Sequence, residues 1–167
     1  MATTLRALED FLNPISCIYI YLIMIAGPKP ALPCLCANLR RASRAITQRY
    51  EQALRPMGMT ATHFTILQAL SLTGEILQGR LGEVLAMDST TLTRTLAILS
   101  RRGWLTTRQG NDRRERWLSL SAAGKAEFKR ALPHWQAVQN ELRKQLGDKR
   151  WGNLMKLINE VTTEVTE

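Results

Sequence analysis

The chain of 167 residues has few of the residues that build disulfide scaffolds or metal centres: it contains three cysteines and two histidines. No cysteine pair has the C-x-x-C spacing of a structural zinc site, and cysteines two positions apart, such as Cys34 and Cys36, rarely bridge. Acidic residues are also scarce, since 14 Asp and Glu stand against 23 Lys and Arg. These shortages favour a reducing, cytoplasmic setting and a polyanionic partner, with nucleic acid first and an anionic membrane surface second.

The sequence has no apolar run of the roughly 20 residues that a bilayer-spanning helix needs. Residues 15–26 form an apolar run of 12 positions, but Glu9 and Asp10 ahead of it are atypical of a signal peptide. We interpret residues 1–32 as an apolar N-terminal extension. It either packs on the domain or on a partner subunit, or it precedes a true start downstream, for example at Met24.

The features that would indicate an enzyme are missing. A catalytic site needs a nucleophile with a base, paired carboxylates or a cofactor-binding loop, and the acidic residues here are scattered. Gly74 and Gly79 have the spacing of a phosphate-binding loop, but Arg80 and Leu81 replace the required Lys and Ser or Thr. We therefore predict no enzymatic activity, no catalytic residue, no metal and no cofactor.

Positive charge is concentrated in one short stretch. Residues 31–167 carry the whole excess, with 21 basic and 12 acidic side chains. Within residues 101–116 there are two acidic residues, Asp112 and Glu115, and six arginines: Arg101, Arg102, Arg108, Arg113, Arg114 and Arg116. Arginine is the preferred partner of phosphate and of groove edges, so this stretch indicates nucleic acid rather than a merely solvated face.

The spacing of apolar residues predicts a mainly helical chain. From residue 35 onward they recur every three or four positions, which places an apolar stripe on each helix. The stripes are Leu35, Leu39, Ala42, Ile46, Tyr50 and Ala53; Phe64, Leu67 and Leu70, with Ile66 beside them; Leu81, Val84 and Leu85; Leu92, Leu96 and Leu99; and Trp151, Leu154, Ile158, Val161 and Val165. Thr60, Asp88 and Ser121 stand where side-chain oxygens cap helix N-termini.

Between residues 103 and 121 the pattern changes from helix to strand. Residues 104–108 and 116–120 are short extended stretches, and the Gly-Asn-Asp sequence between them is typical of a turn. Helix, short helix, helix and then a hairpin is the order of a winged helix-turn-helix. The predicted fold is mainly α with a small two-stranded β wing and a helical dimerisation region.

The helix over residues 89–102 has the composition of a DNA recognition helix. Small hydroxyl side chains opposite its leucine face fit a major groove, and Arg94 can pair with guanine or phosphate. The basic hairpin is placed to reach an adjacent minor groove, where negative potential favours arginine. The predicted DNA-binding residues are Ser89, Thr90, Thr91, Thr93, Arg94, Arg113, Arg114 and Arg116.

Residues 88–105 (DSTTLTRTLAILSRRGWL) and 112–124 (DRRERWLSLSAAG) resemble the MarR family of bacterial transcription regulators. The resemblance runs from Cys36 to the C-terminus. It implies a regulator, by family default a repressor, that binds double-stranded DNA as a homodimer on a pseudo-palindromic operator. Residues 33–55 and 123–167 would form the helical dimerisation region, and residues 56–122 the winged helix-turn-helix lobe. The outer apolar stripes agree with this, because so small a domain offers them no other obvious partner.

The resemblance also assigns roles within the wing. Arg114 matches the arginine that enters the minor groove, and Asp112 matches the acidic residue that orients the wing, through Arg94. A carboxylate beside three arginines would weaken phosphate attraction unless it held one of them in place, which supports the orienting role of Asp112.

Family members typically lose DNA affinity when they bind a small aromatic compound or when a thiol is oxidised. The sequence around Cys36 resembles the first helix of the organic-hydroperoxide-sensing branch, in which a tyrosine stands at the position of Arg41. Cys36, with Cys34 as a second thiol, is thus a candidate redox sensor. The alternative is that Cys36 is a small buried residue at a helix interface.

Two other function classes stay open from the sequence alone. Residues 15–26, supported by basic side chains, would suit a module that binds membrane surfaces, although we expect no membrane partner. A Cys36-dependent enzyme is the remaining catalytic alternative.

Overall fold

The computed structural model describes residues 32–112 and 115–166. The chain divides into two compact units, Met1–Ala45 and Ile46–Glu167. Apart from Leu32, the N-terminal extension and its apolar run lie outside the described residues, and so do the predicted wing residues Arg113 and Arg114.

The described part of the chain contains six α-helices and three β-strands. The helices are α1 (Leu35–Leu54), α2 (Ala61–Thr73), α3 (Gln78–Val84), α4 (Ser89–Arg101), α5 (Ala122–Leu146) and α6 (Asp148–Thr166). The strands are β1 (Glu75–Leu77), β2 (Leu105–Gln109) and β3 (Arg116–Leu120), and a 3₁₀ turn at Arg55–Met57 follows α1. This mainly α architecture confirms the predicted fold class.

The sheet has one more strand than the predicted wing. Its order is β1-β3-β2, and both pairings are antiparallel. The hairpin of β2 and β3 was predicted, but β1 was not, because three residues are too few to show an alternating pattern. On the core side of the sheet, Ile76, Leu105, Leu118 and Leu120 are buried.

Helix α2 lies at the centre of the core. It contacts α4, α5, β1 and β3. The predicted stripe of Phe64, Leu67 and Leu70 is buried, but Ile66, which we placed beside that stripe, is fully buried too. A helix with neighbours on several sides needs apolar residues around most of its circumference, and a one-face pattern therefore underestimates its burial.

Helix α3 departs from the sequence interpretation, whereas the start of α5 agrees with it. In α3, Leu81 is buried as expected, but Val84 is 55% exposed because this helix is too short to bury a full stripe. Ser121 caps α5 as predicted, accepting the backbone N–H of Gly124 at 2.9 Å, and the helix runs on through Pro133 to Leu146.

Helix α6 presents its apolar residues on the surface of the single chain. Leu154, Ile158, Val161 and Val165 are between 37% and 79% exposed. Among the helices of residues 32–112 and 115–166, none has the length and apolar character needed to cross a membrane.

The N-terminus of α2 is capped by a threonine and a histidine. Thr60 Oγ1 accepts the backbone N–H of His63 at 3.1 Å, while the imidazole Nδ1 of His63 accepts the backbone N–H of Thr60 at 3.3 Å. His63 is buried, and this burial lowers its pKa below the ordinary 6.5. The positive charge of Arg102 lowers the pKa further, whereas Glu51 acts in the opposite direction. The folded protein therefore favours the neutral imidazole, which can accept the capping hydrogen bond.

We expect the free energy of unfolding to fall as the pH drops below about 6.5. The stabilisation is complete above the unfolded-state pKa and is lost as the pH falls through the lower folded-state pKa, because the protonated ring cannot accept from Thr60. His63→Gln should keep the cap, since glutamine suits this position of a capping box, and should flatten the pH dependence. Urea unfolding from about pH 7 to pH 5 measures this, with the exposed His134→Gln as control. Parallel curves for the parent and His63→Gln would contradict it.

Candidate nucleic-acid interface

The N-terminus of α4 is fixed by Asp88. Its carboxylate accepts the backbone N–H of Thr91 at 2.9 Å. Hydrogen bonds from the side chain and backbone of Thr91 lower the pKa of Asp88, so the cap is ionised at neutral pH. The helix therefore begins at Ser89, as predicted.

Helix α4 separates its side chains into two faces. Leu92, Leu96 and Leu99 are buried in the core with residues of α2. The predicted groove-facing residues on the other side are all exposed: Ser89, Thr90, Thr91, Thr93 and Arg94. One surface thus brings together four hydroxyl groups and a guanidinium, which can hydrogen-bond base edges and phosphates.

The turn between α3 and α4 is tight. The backbone N–H of Met87 donates to the carbonyl of Gly82 at 2.9 Å, and Ala86 adopts a left-handed φ of 48°. A Cβ atom on Gly82 would lie 3.3 Å from Cδ2 of Leu92. The small residue at position 82 thus lets the two helices of the helix-turn-helix approach closely.

Gln78 makes a contact with α4 that the sequence did not predict. It begins α3, and its Nε2 donates to Oγ1 of Thr93 on α4 at 3.3 Å. The hydroxyl of Thr95 instead donates back to the carbonyl of Thr91 at 2.8 Å. Gln78 therefore belongs to the surface around Thr93, but no local motif marks it because the two residues meet only in the folded helix-turn-helix.

The wing ends in a narrow turn. The N–H of Gly110 donates to the carbonyl of Glu115 at 2.9 Å, and the N–H of Glu115 donates to the carbonyl of Asp112 at 3.0 Å. Asp112 and Arg116 are exposed. The role of Asp112 in orienting the wing through Arg94 stays a prediction.

The arginines of the basic stretch differ in whether they already have partners within the protein. Arg102 donates to the carbonyl of Gly58 at 2.6 Å and lies over the ring of Trp104 at 4.8 Å. Arg108 forms a salt bridge with Glu75 at 2.7 Å. In contrast, Arg101 and Arg116 are exposed and take part in none of the salt bridges among residues 32–112 and 115–166. Fewer arginines than the sequence suggests are therefore available to a polyanion.

The candidate redox residues lie at the start of α1. Cys34 precedes the helix and Cys36 is in its first turn. Both thiols are free and exposed in the single chain. A buried position for Cys36, the alternative reading, would require a partner that covers it.

A cavity of about 250 Å³ lies between α1, α2 and α5 within the second unit. It is lined by Tyr50, Leu54, Ala61, Phe64, Thr65, Gln68, Trp135 and Gln139. The rings of Phe64 and Trp135 stack at its wall with centroids 5.5 Å apart. The cavity thus combines aromatic faces with a phenolic hydroxyl and two amides.

These elements define the chain as a winged helix-turn-helix protein, and comparisons with known proteins identify its family. A sequence model of the MarR family matches residues 57–115. The M. tuberculosis transcriptional regulator MosR, solved in complex with DNA, is 34% identical, with a TM-score of 0.73. That similarity covers 80% of this chain and 96% of MosR. The chain therefore belongs to the MarR family of transcription regulators.

Two further relatives support this family assignment. A mutant MarR from E. coli, complexed with operator DNA, is 26% identical with a TM-score of 0.69, covering 76% of this chain and 92% of that one. The HTH-type transcriptional regulator SarZ of Staphylococcus epidermidis is 32% identical over 92 residues. This match spans 54% of this chain and 62% of SarZ, so it covers less than two thirds of that relative.

Asp88→Ala should loosen the first turn of α4 without unfolding the protein. The substitution removes the acceptor for the amide of Thr91, which we expect to exchange its hydrogen faster. Asp88→Asn is the matched control because asparagine caps helices as well as aspartate does. Hydrogen exchange measured by NMR compares the amides of α4 with those of α2. Equal protection of Thr91 in the parent and Asp88→Ala would mean that the carboxylate does not fix this helix.

Proposed function

We propose that the protein is a sequence-specific transcription regulator that binds double-stranded DNA as a homodimer. The observation that carries the proposal is the exposed hydroxyl and guanidinium face of α4 beside the basic wing. The DNA complex of MosR and the operator complex of the E. coli MarR mutant support it, because both relatives share this fold. By family default we propose repression, in the cytoplasm.

The two parts of the surface suit different grooves. The buried leucines of α4 leave Ser89, Thr90, Thr91, Thr93 and Arg94 free to enter a major groove. The wing, to which we assign Arg113, Arg114 and Arg116, then reaches the adjacent minor groove, where arginine is favoured. In this arrangement Asp112 orients the wing rather than contacting DNA.

A second copy of the chain would cover the exposed apolar side chains of the outer helices. Ile158 and Val161 of α6 are exposed in the single chain, and so are Leu35 and Leu39 of α1. We assign dimerisation to residues 33–55 and 123–167 and DNA binding to residues 56–122. A two-fold dimer predicts a pseudo-palindromic operator with half-sites about one helical turn apart. Sedimentation equilibrium, free and with DNA, tests the assembly.

Release from DNA has two candidate triggers. The cavity beside Tyr50, Phe64 and Trp135 has the size and aromatic lining for a single-ring aromatic compound, and it touches α2, on which α4 packs. The exposed thiols of Cys34 and Cys36 offer a redox trigger at the start of α1. Either event would act by shifting the geometry of the DNA-binding surfaces.

The direct test is fluorescence anisotropy of the purified protein. A duplex enriched by the protein from a randomised pool is titrated against a scrambled duplex over a range of salt concentrations. A specific-to-nonspecific ratio above about a thousandfold establishes a sequence-reading regulator. Enrichment of no sequence, or equal and purely salt-controlled affinities, would overturn the proposed function.

Removing a wing arginine should weaken binding to every sequence. We expect Arg114→Ala and Arg116→Ala each to reduce the slope of log affinity against log salt by about one, because each loses one phosphate contact. Arg143→Ala is the control, since it removes the same charge from the far end of α5, where Arg143 pairs with Asp148. An unchanged slope in both wing variants would remove the wing from this mechanism.

Oxidation should release DNA through Cys36. We expect an organic hydroperoxide to weaken specific binding of the parent by about tenfold or more, within the usual range of allosteric coupling. Cys36→Ser should abolish the response, and Cys34→Ser should show whether a second thiol completes it. If Cys36→Ser responds as the parent does, this trigger is wrong and the aromatic cavity is the one to screen.

A further inference from the structure

Arg108 occupies an unusual place for a residue of the basic stretch. It lies on β2, directly opposite Trp117 of β3, one residue pair before the wing turn begins at Gln109 and Arg116. From there its guanidinium crosses β3 and reaches Glu75 on β1. Nη2 lies 2.7 Å from Oε2 of Glu75, and Nε lies 3.2 Å from Oε1.

The Arg108 guanidinium contacts an aromatic ring in addition to the carboxylate of Glu75. Its carbon atom lies 5.2 Å from the centre of the Trp117 ring. The strand register places Glu75 opposite Ser119, two residues from Trp117, so all three side chains share the outer face of the sheet. We refer to Glu75, Arg108 and Trp117 as the wing clamp.

The wing clamp connects strands that the backbone does not connect. In the order β1-β3-β2, the two outer strands form hydrogen bonds only to β3. The salt bridge between Glu75 and Arg108 therefore links the two outer strands directly: β1, which leads into α3, and β2, which enters the wing turn. Because β2 pairs with β3 alone in this sheet, a side-chain link from β2 to β1 restricts the direction of the hairpin relative to α3.

We propose that Arg108 is a positioning residue: with Glu75 and Trp117 it sets the direction of the wing relative to the helix-turn-helix, and it does not contact phosphate. An exposed ion pair fixes the relative positions of its two residues when the arginine forms two hydrogen bonds to the carboxylate and also stacks on an indole ring. To reach DNA, Arg108 would have to leave both hydrogen bonds and the ring, and it would leave the carboxylate of Glu75 unpaired near a polyanion. This inference rests on the proposed DNA-binding function.

The neutral variant Glu75→Gln separates positioning from simple electrostatics. Removing a negative charge near the binding surface should tighten DNA binding if Arg108 acts only through its charge. If the wing clamp positions the wing, Glu75→Gln should instead weaken specific binding by about three- to tenfold, with the nonspecific affinity not reduced. Anisotropy with the enriched and the scrambled duplex measures both.

Two more variants complete the test. Arg108→Met should lower specific affinity while the salt slope stays unchanged, whereas a phosphate contact would reduce the slope by about one. The double variant Glu75→Arg/Arg108→Glu exchanges the two charges, so it can form the same ion pair at an unchanged net charge. It should recover a large part of the specific affinity that the single variants lose. Thermal unfolding confirms that each variant is folded.

The outcomes are distinct. Tighter or unchanged specific binding by Glu75→Gln, a reduced salt slope for Arg108→Met, or no recovery in the exchanged pair would each overturn the positioning role while the parent still reads its duplex. A parent that enriches no sequence overturns the proposed function, and this inference with it.

Discussion

The burial of three leucines of α4 against α2 is the contact on which the proposed DNA-binding surface depends. Leu92, Leu96 and Leu99 are removed from water together with Phe64 and Leu67. Because a helix has only one stripe at this spacing, burying the leucines forces the residues between them outward. The arrangement of hydroxyl groups and Arg94 on the surface is thus a consequence of core packing.

Each end of α4 is fixed by specific contacts. At the start, Asp88 accepts the amide of Thr91, and the close approach of Gly82 to Leu92 seats the helix against α3. At the end, Arg102 donates to Gly58 in the turn that follows α1. His63 lies close by, in the first turn of α2, and its imidazole must stay neutral to accept the capping hydrogen bond from Thr60. A change at the junction between α1 and α2 can therefore reach the proposed DNA-binding helix through Arg102.

The sequence predicted those features whose signals are local. Caps at Thr60, Asp88 and Ser121 and the leucine stripe of α4 depend on residues within a few positions of each other, and the structure has them where the pattern places them. The burial of Ile66 escaped prediction because it depends on neighbours from several elements. The pairing of Arg108 with Glu75, 33 residues earlier, escaped for the same reason. Charge counting treats every arginine alike, and only the fold shows which of them already have a carboxylate partner.

The edges of the small sheet affect how readily the protein aggregates at high concentration. A sheet with open edges can recruit strands from other chains and so begin aggregation. Here one edge, β1, is only three residues long and passes at once into α3, and the other edge, β2, carries the charged side chain of Arg108 and the polar Thr106 and Gln109. A short edge and a charged edge both discourage strand addition. The same sheet that supports the wing is therefore protected against edge-to-edge association.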